Sequence, residues 1–247
     1  MDNSHVLALV TGASRGIGKA IAEKLLESGA QVIGTARSSS FPESLRGHDR
    51  FKSVHVDLGD LEDVSQRIKP LFVRVNAPNV LVNNAGISED ASFSLDDADW
   101  KYNWDRTIKI NLTTPALISK WAINRWVDEG DGILINVSSR AAYRGDTQEF
   151  ASYAASKGGM VSFTKSIARD YGKKNIAAYS IAPGFIDTDM AHEVKEVYGE
   201  EYLTKDMAME EITPPEQVAE IVGFLASGKV KHMTGATIHV NGGSYMI

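Results

Sequence analysis

Cysteine is missing altogether from the 247 residues, so neither a disulfide nor a thiolate can take part in what the chain does. That absence fits a reducing compartment. No apolar run approaches the length of a membrane span, and the opening Met1-Asp2-Asn3-Ser4-His5 lacks the basic stretch and apolar core of a secretory leader. Cytoplasmic localisation is the resulting expectation. Basic residues do not dominate: 26 Lys and Arg stand against 32 Asp and Glu, a formal charge of −6. The charges are dispersed, with no stripe suited to nucleic acid or to an anionic membrane surface, so neither is expected as a partner. No Pro/Gly/Ser-rich linker and no shift in composition splits the chain, which reads as a single domain over 1–247.

What is present is an ordinary globular composition, 43% hydrophobic and 23% charged, laid out as short apolar runs alternating with helical patterns. Val6-Leu7-Ala8-Leu9-Val10 is a continuous apolar run of the kind buried on both faces of a parallel sheet. Residues 31–36, 51–56, 80–82, 132–137, 176–181 and 237–240 read as further strands. The fold class is therefore α/β: a doubly wound parallel sheet of about seven strands with helices on both faces.

The first strand runs into Thr11-Gly12-Ala13-Ser14-Arg15-Gly16-Ile17-Gly18 and then an amphipathic helix from Lys19 to Ser28. Strand, glycine-rich turn and helix form the dinucleotide-binding arrangement. Gly12 permits the tight turn, Gly16 lets backbone amides approach a pyrophosphate, and Gly18 allows close helix packing. The helix N-terminus stabilises the phosphate charge. Ser14, Arg15 and Ile17 complete this candidate cradle. The second strand ends at Ala36-Arg37-Ser38, where a carboxylate would hold the ribose 2′-hydroxyl of NAD. With Arg15 and Arg37 there instead, a 2′-phosphate is favoured and NADP(H) is preferred over NAD(H); two solvated arginines are the simpler alternative. The third strand delivers Asp57-Leu58, with Asp57 able to accept from the adenine amino group or to cap the following helix. The fourth delivers Asn83-Asn84-Ala85-Gly86, where small Ala85 and Gly86 let the chain pass close to a ribose and Asn83 can fix the turn.

In Ser152-Tyr153-Ala154-Ala155-Ser156-Lys157, a Tyr and a Lys four residues apart share one helix face. The ammonium is expected to stabilise the phenolate, making the pair a general acid/base near neutral pH. Ser138 and Ser139, at the carboxyl end of the fifth strand, can donate to a carbonyl oxygen held near Tyr153. Asn111 lies in an apolar helical pattern and reads equally as structural or catalytic. Trp121 and Trp126 read as core or interface. Pro183-Gly184 makes a turn at the sheet edge, where the Ile186 backbone and the Thr188 hydroxyl can meet a nicotinamide carboxamide. Residues 187–213 read as a substrate lid, or as an ordinary pair of surface helices.

Taken together, Thr11-Gly12-x-x-x-Gly16-Ile17-Gly18, Asn83-Asn84-Ala85-Gly86, Asn111, Ser139, Tyr153-x-x-x-Lys157 and Pro183-Gly184 stand in the order found in short-chain dehydrogenases/reductases, which the chain resembles over essentially its whole length. The resemblance implies a Rossmann-type domain, usually a homotetramer, with Asn111, Ser139, Tyr153 and Lys157 as catalytic tetrad and Tyr153 and Lys157 also touching the cofactor. Ser139 aligns better than Ser138, although its spacing to Tyr153 is one residue long. Within the family the chain is most similar to 3-oxoacyl-[acyl-carrier-protein] reductases, through Ala182–Met190 and the closing Val240-Asn241-Gly242-Gly243-x-Tyr245-Met246. It departs from them at Asp128-Glu129-Gly130-Asp131, where basic residues dock the acidic carrier protein, and at Ala178-Tyr179-Ser180; Lys173 and Lys174 offer a partial substitute patch. The activity implied is reduction of a ketone by hydride from NADPH, the substrate a small carbonyl or an acyl thioester, possibly on acyl carrier protein, and no metal is required. A sugar, polyol or xenobiotic ketone is the second reading. A nucleotide-sensing module without chemistry is the third.

Overall fold

The computed structural model describes residues 2–37 and 40–246. Ser38, one of the candidate cofactor contacts, lies outside the described residues. In chain order the elements are β1 (Leu7–Val10), α1 (Gly16–Glu27), β2 (Gln31–Ala36), α2 (Glu43–Arg46), β3 (Phe51–His55), α3 (Leu61–Arg67), β4 (Val80–Asn83), α4 (Asp97–Ile108), α5 (Thr114–Glu129), β5 (Gly132–Val137), α6 (Ala141–Arg144), α7 (Ala151–Tyr171), β6 (Ile176–Pro183), α8 (Asp189–Tyr198), α9 (Glu200–Thr204), α10 (Pro215–Ala226) and β7 (Thr237–Val240).

The seven strands form one sheet in the order β3-β2-β1-β4-β5-β6-β7, every adjacent pair parallel. The order reverses between β1 and β4, and in such sheets the ligand crevice opens outside the carboxyl ends at that switch point. The glycine-rich turn after β1 and the Asn83–Gly86 turn after β4 therefore meet. Alternation along each strand feeds two cores, one per face. Ala8, Val10, Ile133, Ile135 and Val137 pack toward α1 and α10, whereas Leu9, Leu81 and Leu134 pack toward α3, α5 and α7.

Local chemistry sets the element ends. Asp60 caps α3 by accepting from the N–H groups of Glu62 and Asp63, and Asp96 caps α4 through those of Ala98 and Asp99. Pro70 stops the helical pattern beyond α3, leaving only a 3₁₀ turn over Lys69–Phe72. Asn111 sits in a five-residue π-helical segment, Lys109–Thr113, between α4 and α5. No helix of the described residues is long and apolar enough to cross a membrane.

Trp126 is fully buried in the core beneath α5, and its indole N–H donates to the Pro78 carbonyl at 2.7 Å. Gly132 makes room for it: a Cβ there would come within 2.2 Å of the indole. Trp126→Ala is expected to lower stability by about 3–5 kcal/mol, the usual cost of a large buried aromatic. Urea denaturation checks this, and a loss below about 1 kcal/mol would remove Trp126 from the core.

Candidate active site

The turn between β1 and α1 is built to let backbone come close. Gly12 and Gly16 have φ of +67° and +53°, conformations that L side chains rarely adopt. At Gly18 the constraint is space, since a Cβ would lie 2.1 Å from the Gly12 carbonyl oxygen. Asn84 ties the turn to β4 by donating to the carbonyls of Thr11 (3.0 Å) and Gly12 (3.3 Å). Arg15 at the N-cap makes no side-chain cap, so the first amides of α1 face the crevice with their dipole end free for an anion.

This turn borders a cavity of about 480 Å³. Ser14, Arg15, Ile17, Arg37, Asp57, Leu58, Ala85, Gly86 and Thr188 line it together with the three glycines. An open helix N-terminus, glycines that no Cβ could replace and two arginines suit a dinucleotide phosphate group. Across the cavity mouth, Arg15 forms an ion pair of 2.9 Å with Asp189, the first residue of α8.

A second cavity, about 430 Å³, adjoins the first through the shared wall residues Ile17, Asn84, Gly86 and Thr188. Ser139, Tyr153, Lys157, Pro183, Gly184 and Ile186 line it. Ser139 and Tyr153 line the same cavity, and the Ser139 hydroxyl favours the ionised form of the phenol. Burial pushes the phenol above its usual pKa of 10, the Ser139 hydroxyl opposes this, and Asp146 raises it further. Lys157 is 3% exposed and donates from Nζ to the Val137 carbonyl at 2.8 Å, while its Nζ lies 5.7 Å from the Tyr153 ring centroid. Burial lowers its pKa from 10.5 to about 8.

A family model described as Enoyl-(Acyl carrier protein) reductase matches residues 12–245. The 3-oxoacyl-[acyl-carrier-protein] reductase FabG of Vibrio cholerae is 37% identical over 252 residues, covering 100% of both chains. That of Aquifex aeolicus is 34% identical over 97% of both. The chain belongs to the short-chain dehydrogenase/reductase family. It is an oxidoreductase of that family. Among solved structures, a provisionally assigned gluconate dehydrogenase from Agrobacterium tumefaciens superposes with a TM-score of 0.90 at 27% identity, over 100% of this chain and 98% of that one. A provisionally assigned NAD(P)-dependent gluconate 5-dehydrogenase from Beutenbergia cavernae, with NADP bound at low occupancy, gives 0.89 at 26% identity over 97% and 96%.

Several positions differ from the sequence-based expectation for this reductase fold. Asn83 does not face the crevice: it is fully buried, and its amide donates to Ser119 Oγ (3.0 Å) and Asn136 Oδ1 (2.9 Å). Asn84 lines both cavities in its place. Ser138 is likewise turned inward and donates to the Lys157 carbonyl at 2.9 Å, leaving Ser139 to meet Tyr153. Asn111 does not bond the Lys157 ammonium. Its Nδ2 donates to the Ile87 carbonyl (2.8 Å) and Ser156 Oγ (3.1 Å), and its Oδ1 accepts from the Ile87 N–H (2.9 Å). The two side chains still converge, since a Cβ on Gly86 would lie 3.2 Å from Asn111 Oδ1 and 3.3 Å from Lys157 Nζ. Nor does Lys157 depress the phenol's pKa: burial raises it, and the group that opposes the rise is Ser139, not the ammonium. Asp57 is not a helix cap; Asp60 is, while Asp57 Oδ1 accepts from the Gly59 N–H at 2.8 Å. Thr35, Val56, Ile87 and Ile110 also line the crevice and carried no sequence signal. Asp128–Asp131 and Lys173-Lys174 precede β5 and β6, so they lie at the amino edge of the sheet, about 20 Å from the cavities by strand length.

The lowered Lys157 pKa has a signed consequence for stability. Between pH 8 and 10.5 the unfolded chain holds more protons at this amine than the folded one, so this group's contribution to stability rises with pH across that window. Below pH 8 the penalty is fully present, roughly 3 kcal/mol at 1.36 kcal/mol per pKa unit. Relative to Lys157→Met, the native chain is therefore expected to gain about 3 kcal/mol from pH 7 to pH 10.5 in chemical denaturation. Parallel curves for the two proteins would show that the amine titrates normally.

Proposed function

We propose that this enzyme reduces a substrate ketone to a secondary alcohol with NADPH, with 3-oxoacyl thioesters as the substrate class that its relatives' names favour. The observation that carries the reading is that Ser139, Tyr153 and Lys157 line one cavity, which shares Ile17, Asn84, Gly86 and Thr188 with the glycine-rich crevice. Bound NADPH supplies a hydride from its nicotinamide C4 to the carbonyl carbon. Ser139 and Tyr153 together hold the carbonyl oxygen, and their hydrogen bonds strengthen as negative charge develops on it. Tyr153, kept protonated at neutral pH by its raised pKa, gives its proton to that oxygen. The Lys157 ammonium beside it offsets the charge left on the phenolate. Asn111 acts as a positioning residue, holding Ile87 and, through Ser156, the turn of α7 between Tyr153 and Lys157.

Gly12, Gly16 and Gly18 with the α1 amides hold the pyrophosphate, while Asp57 and Leu58 flank the adenine. Pro183, Gly184, Ile186 and Thr188 border the nicotinamide. Residues 187–213 serve as a lid. Ala191 and Tyr202 line the cavity beneath it, and ion pairs Arg15–Asp189 (2.9 Å) and Arg144–Asp206 (3.2 Å) join it to the body. The gluconate dehydrogenases of similar structure favour a second reading, in which a sugar-acid ketone is the substrate. Family membership supports a homotetramer in the cytoplasm as the working assembly, and gel filtration tests it. The acidic run 128–131 lies away from the cavities, so it does not oppose a carrier-bound substrate there.

Consumption of NADPH and NADH against a panel of acetoacetyl thioesters and small ketones tests the reading. Tyr153→Phe is expected to lower kcat by at least about 10³-fold, at the upper range for loss of a general acid, while NADPH still binds by fluorescence titration. Retention of a tenth of the activity would reject the assignment. For the cofactor, Arg37→Glu is expected to weaken NADPH binding about 10- to 100-fold, as loss of a charge-assisted contact and gain of a repulsive one require, with little change for NADH. Equal losses for both cofactors would remove Arg37 from 2′-phosphate recognition.

A further inference from the structure

The cavity wall holds a charge that the ketone chemistry leaves unused. Arg140 follows Ser139 directly, and its backbone N–H donates to the Pro183 carbonyl at 2.9 Å, which fixes it at the junction of β5 and β6. The side chain lines the cavity yet is only 6% exposed. Its guanidinium carbon lies 4.4 Å from the centroid of the Phe185 ring, so one face is covered by an aromatic surface. Nη1 is wholly buried with no hydrogen-bond partner, and among the described residues no carboxylate forms an ion pair with this guanidinium.

The charged groups around it do not supply the missing partner. Arg144 on α6 repels it, while Asp146, Asp206 and Tyr202 attract it. Asp206 is engaged by Arg144 at 3.2 Å, and Asp146 Oδ1 accepts from the Thr147 N–H at 2.9 Å. Burial and Arg144 push the pKa of Arg140 down, but a guanidinium remains protonated at any working pH. A cation removed from water without a counter-ion is strongly disfavoured, and an incoming anion would relieve that cost.

We propose that Arg140 anchors an anionic oxygen group carried by the ketone substrate, close to the carbonyl that Ser139 and Tyr153 hold. This rests on the ketone-reduction reading above and names the class of ketone. The planar fork of a guanidinium matches a carboxylate with two parallel hydrogen bonds, and it accepts a phosphate in the same way. Arg140 and Ser139 line one cavity of about 430 Å³, so the anion this guanidinium recognises belongs within the span of that cavity from the reducible carbon. A free 3-oxo acid or an oxidised sugar acid has a carboxylate at that range. A thioester has a neutral linkage there, and its anionic groups are phosphates further along the carrier arm.

The test uses one acyl group in three forms: acetoacetate, acetoacetyl coenzyme A and the uncharged acetoacetyl-N-acetylcysteamine thioester. NADPH consumption is measured for the native enzyme, Arg140→Met and Arg140→Lys. The expected result is that Arg140→Met lowers the preference for an anionic form over the neutral thioester, in kcat/KM, about 100-fold, mainly through KM. Arg140→Lys should restore part of it. Loss confined to acetoacetate identifies a carboxylate close to the carbonyl, whereas loss confined to the coenzyme A thioester places the anion on the distant phosphate arm and overturns the proposal. Equal effects on all three forms, or none, would overturn the proposal. Arg140→Met is expected to unfold at the same temperature as the native chain or a few degrees higher, since it removes an unpartnered charge. A parallel thermal titration with 3-hydroxybutyrate separates the two readings. Stabilisation that needs Arg140 without turnover of any ketone keeps the anion site and defeats the reductase reading; turnover indifferent to Arg140 does the reverse.

Discussion

One buried ammonium governs the arrangement of the site. Lys157 lies beneath the carboxyl edge of the sheet with Nζ on the Val137 carbonyl, and this placement works only if α7 is held firmly against β5. The Ser138 hydroxyl binds the Lys157 carbonyl from the strand side. Further along, a buried polar ladder runs from Asn83 to Asn136 and on to Thr164, joining β4, β5 and α7 through hydrogen bonds of 2.9 and 2.8 Å. Each member has a partner on a different element, so the ladder fixes the helix's register rather than merely tolerating polar groups in a core. Tyr153, one turn before Lys157, inherits its position from this anchoring.

The cofactor crevice depends on a different constraint, the absence of side chains. At Gly12, Gly18 and Gly86 a single added carbon would meet the Ala85 backbone at 3.0 Å, the Gly12 carbonyl at 2.1 Å and the Lys157 ammonium at 3.3 Å respectively. The turns after β1 and β4 thus pack backbone on backbone, with Asn84 and Thr11 hydrogen bonds binding them together. A rigid floor made in this way leaves the α1 amides pointing outward, where only an anion completes them. The two cavities share Gly86 and Thr188, so the floor of the crevice and the Tyr153 cavity adjoin along small residues.

Most of this was legible in the sequence because the signals were continuous or tightly spaced. Runs such as Val80-Leu81-Val82 and Ile133–Val137 could only be strands buried on both faces, and the glycine-rich turn and Tyr153-x-x-x-Lys157 carried their own geometry. What was not legible turned on parity. Adjacent asparagines, or adjacent serines at a strand end, point to opposite sides of the sheet, and a one-residue uncertainty in where the strand stops exchanges their roles. Asn83 and Ser138 went to the core for that reason, and Asn84 and Ser139 to the crevice. Asn111 sat in an apparently regular helix, whereas a local π turn carries it and lets it grip Ile87. Crevice residues such as Val56 and Ile110 are apolar and resemble any other core position until the sheet is assembled.

The electrostatics of the site follow from burial more than from pairing. Isolation from water raises the Tyr153 phenol and lowers Lys157 at once, so the two values move apart without any direct bond between the groups. A protonated phenol beside an ammonium near its own titration point is a suitable donor to a developing alkoxide, because the proton leaves a group that the neighbouring charge then stabilises. Arg140 extends the same logic. It places a second cation without an ion-pair partner on the wall of the same cavity, next in sequence to Ser139, and the Phe185 ring covers one face of it. Two buried cations around one small cavity lower the stability of the fold, and on the proposed reading both are relieved when negative charge enters: alkoxide at Tyr153, and the substrate's own anion at Arg140. Substrate selection and transition-state stabilisation then draw on one source, the energy stored in desolvated charge.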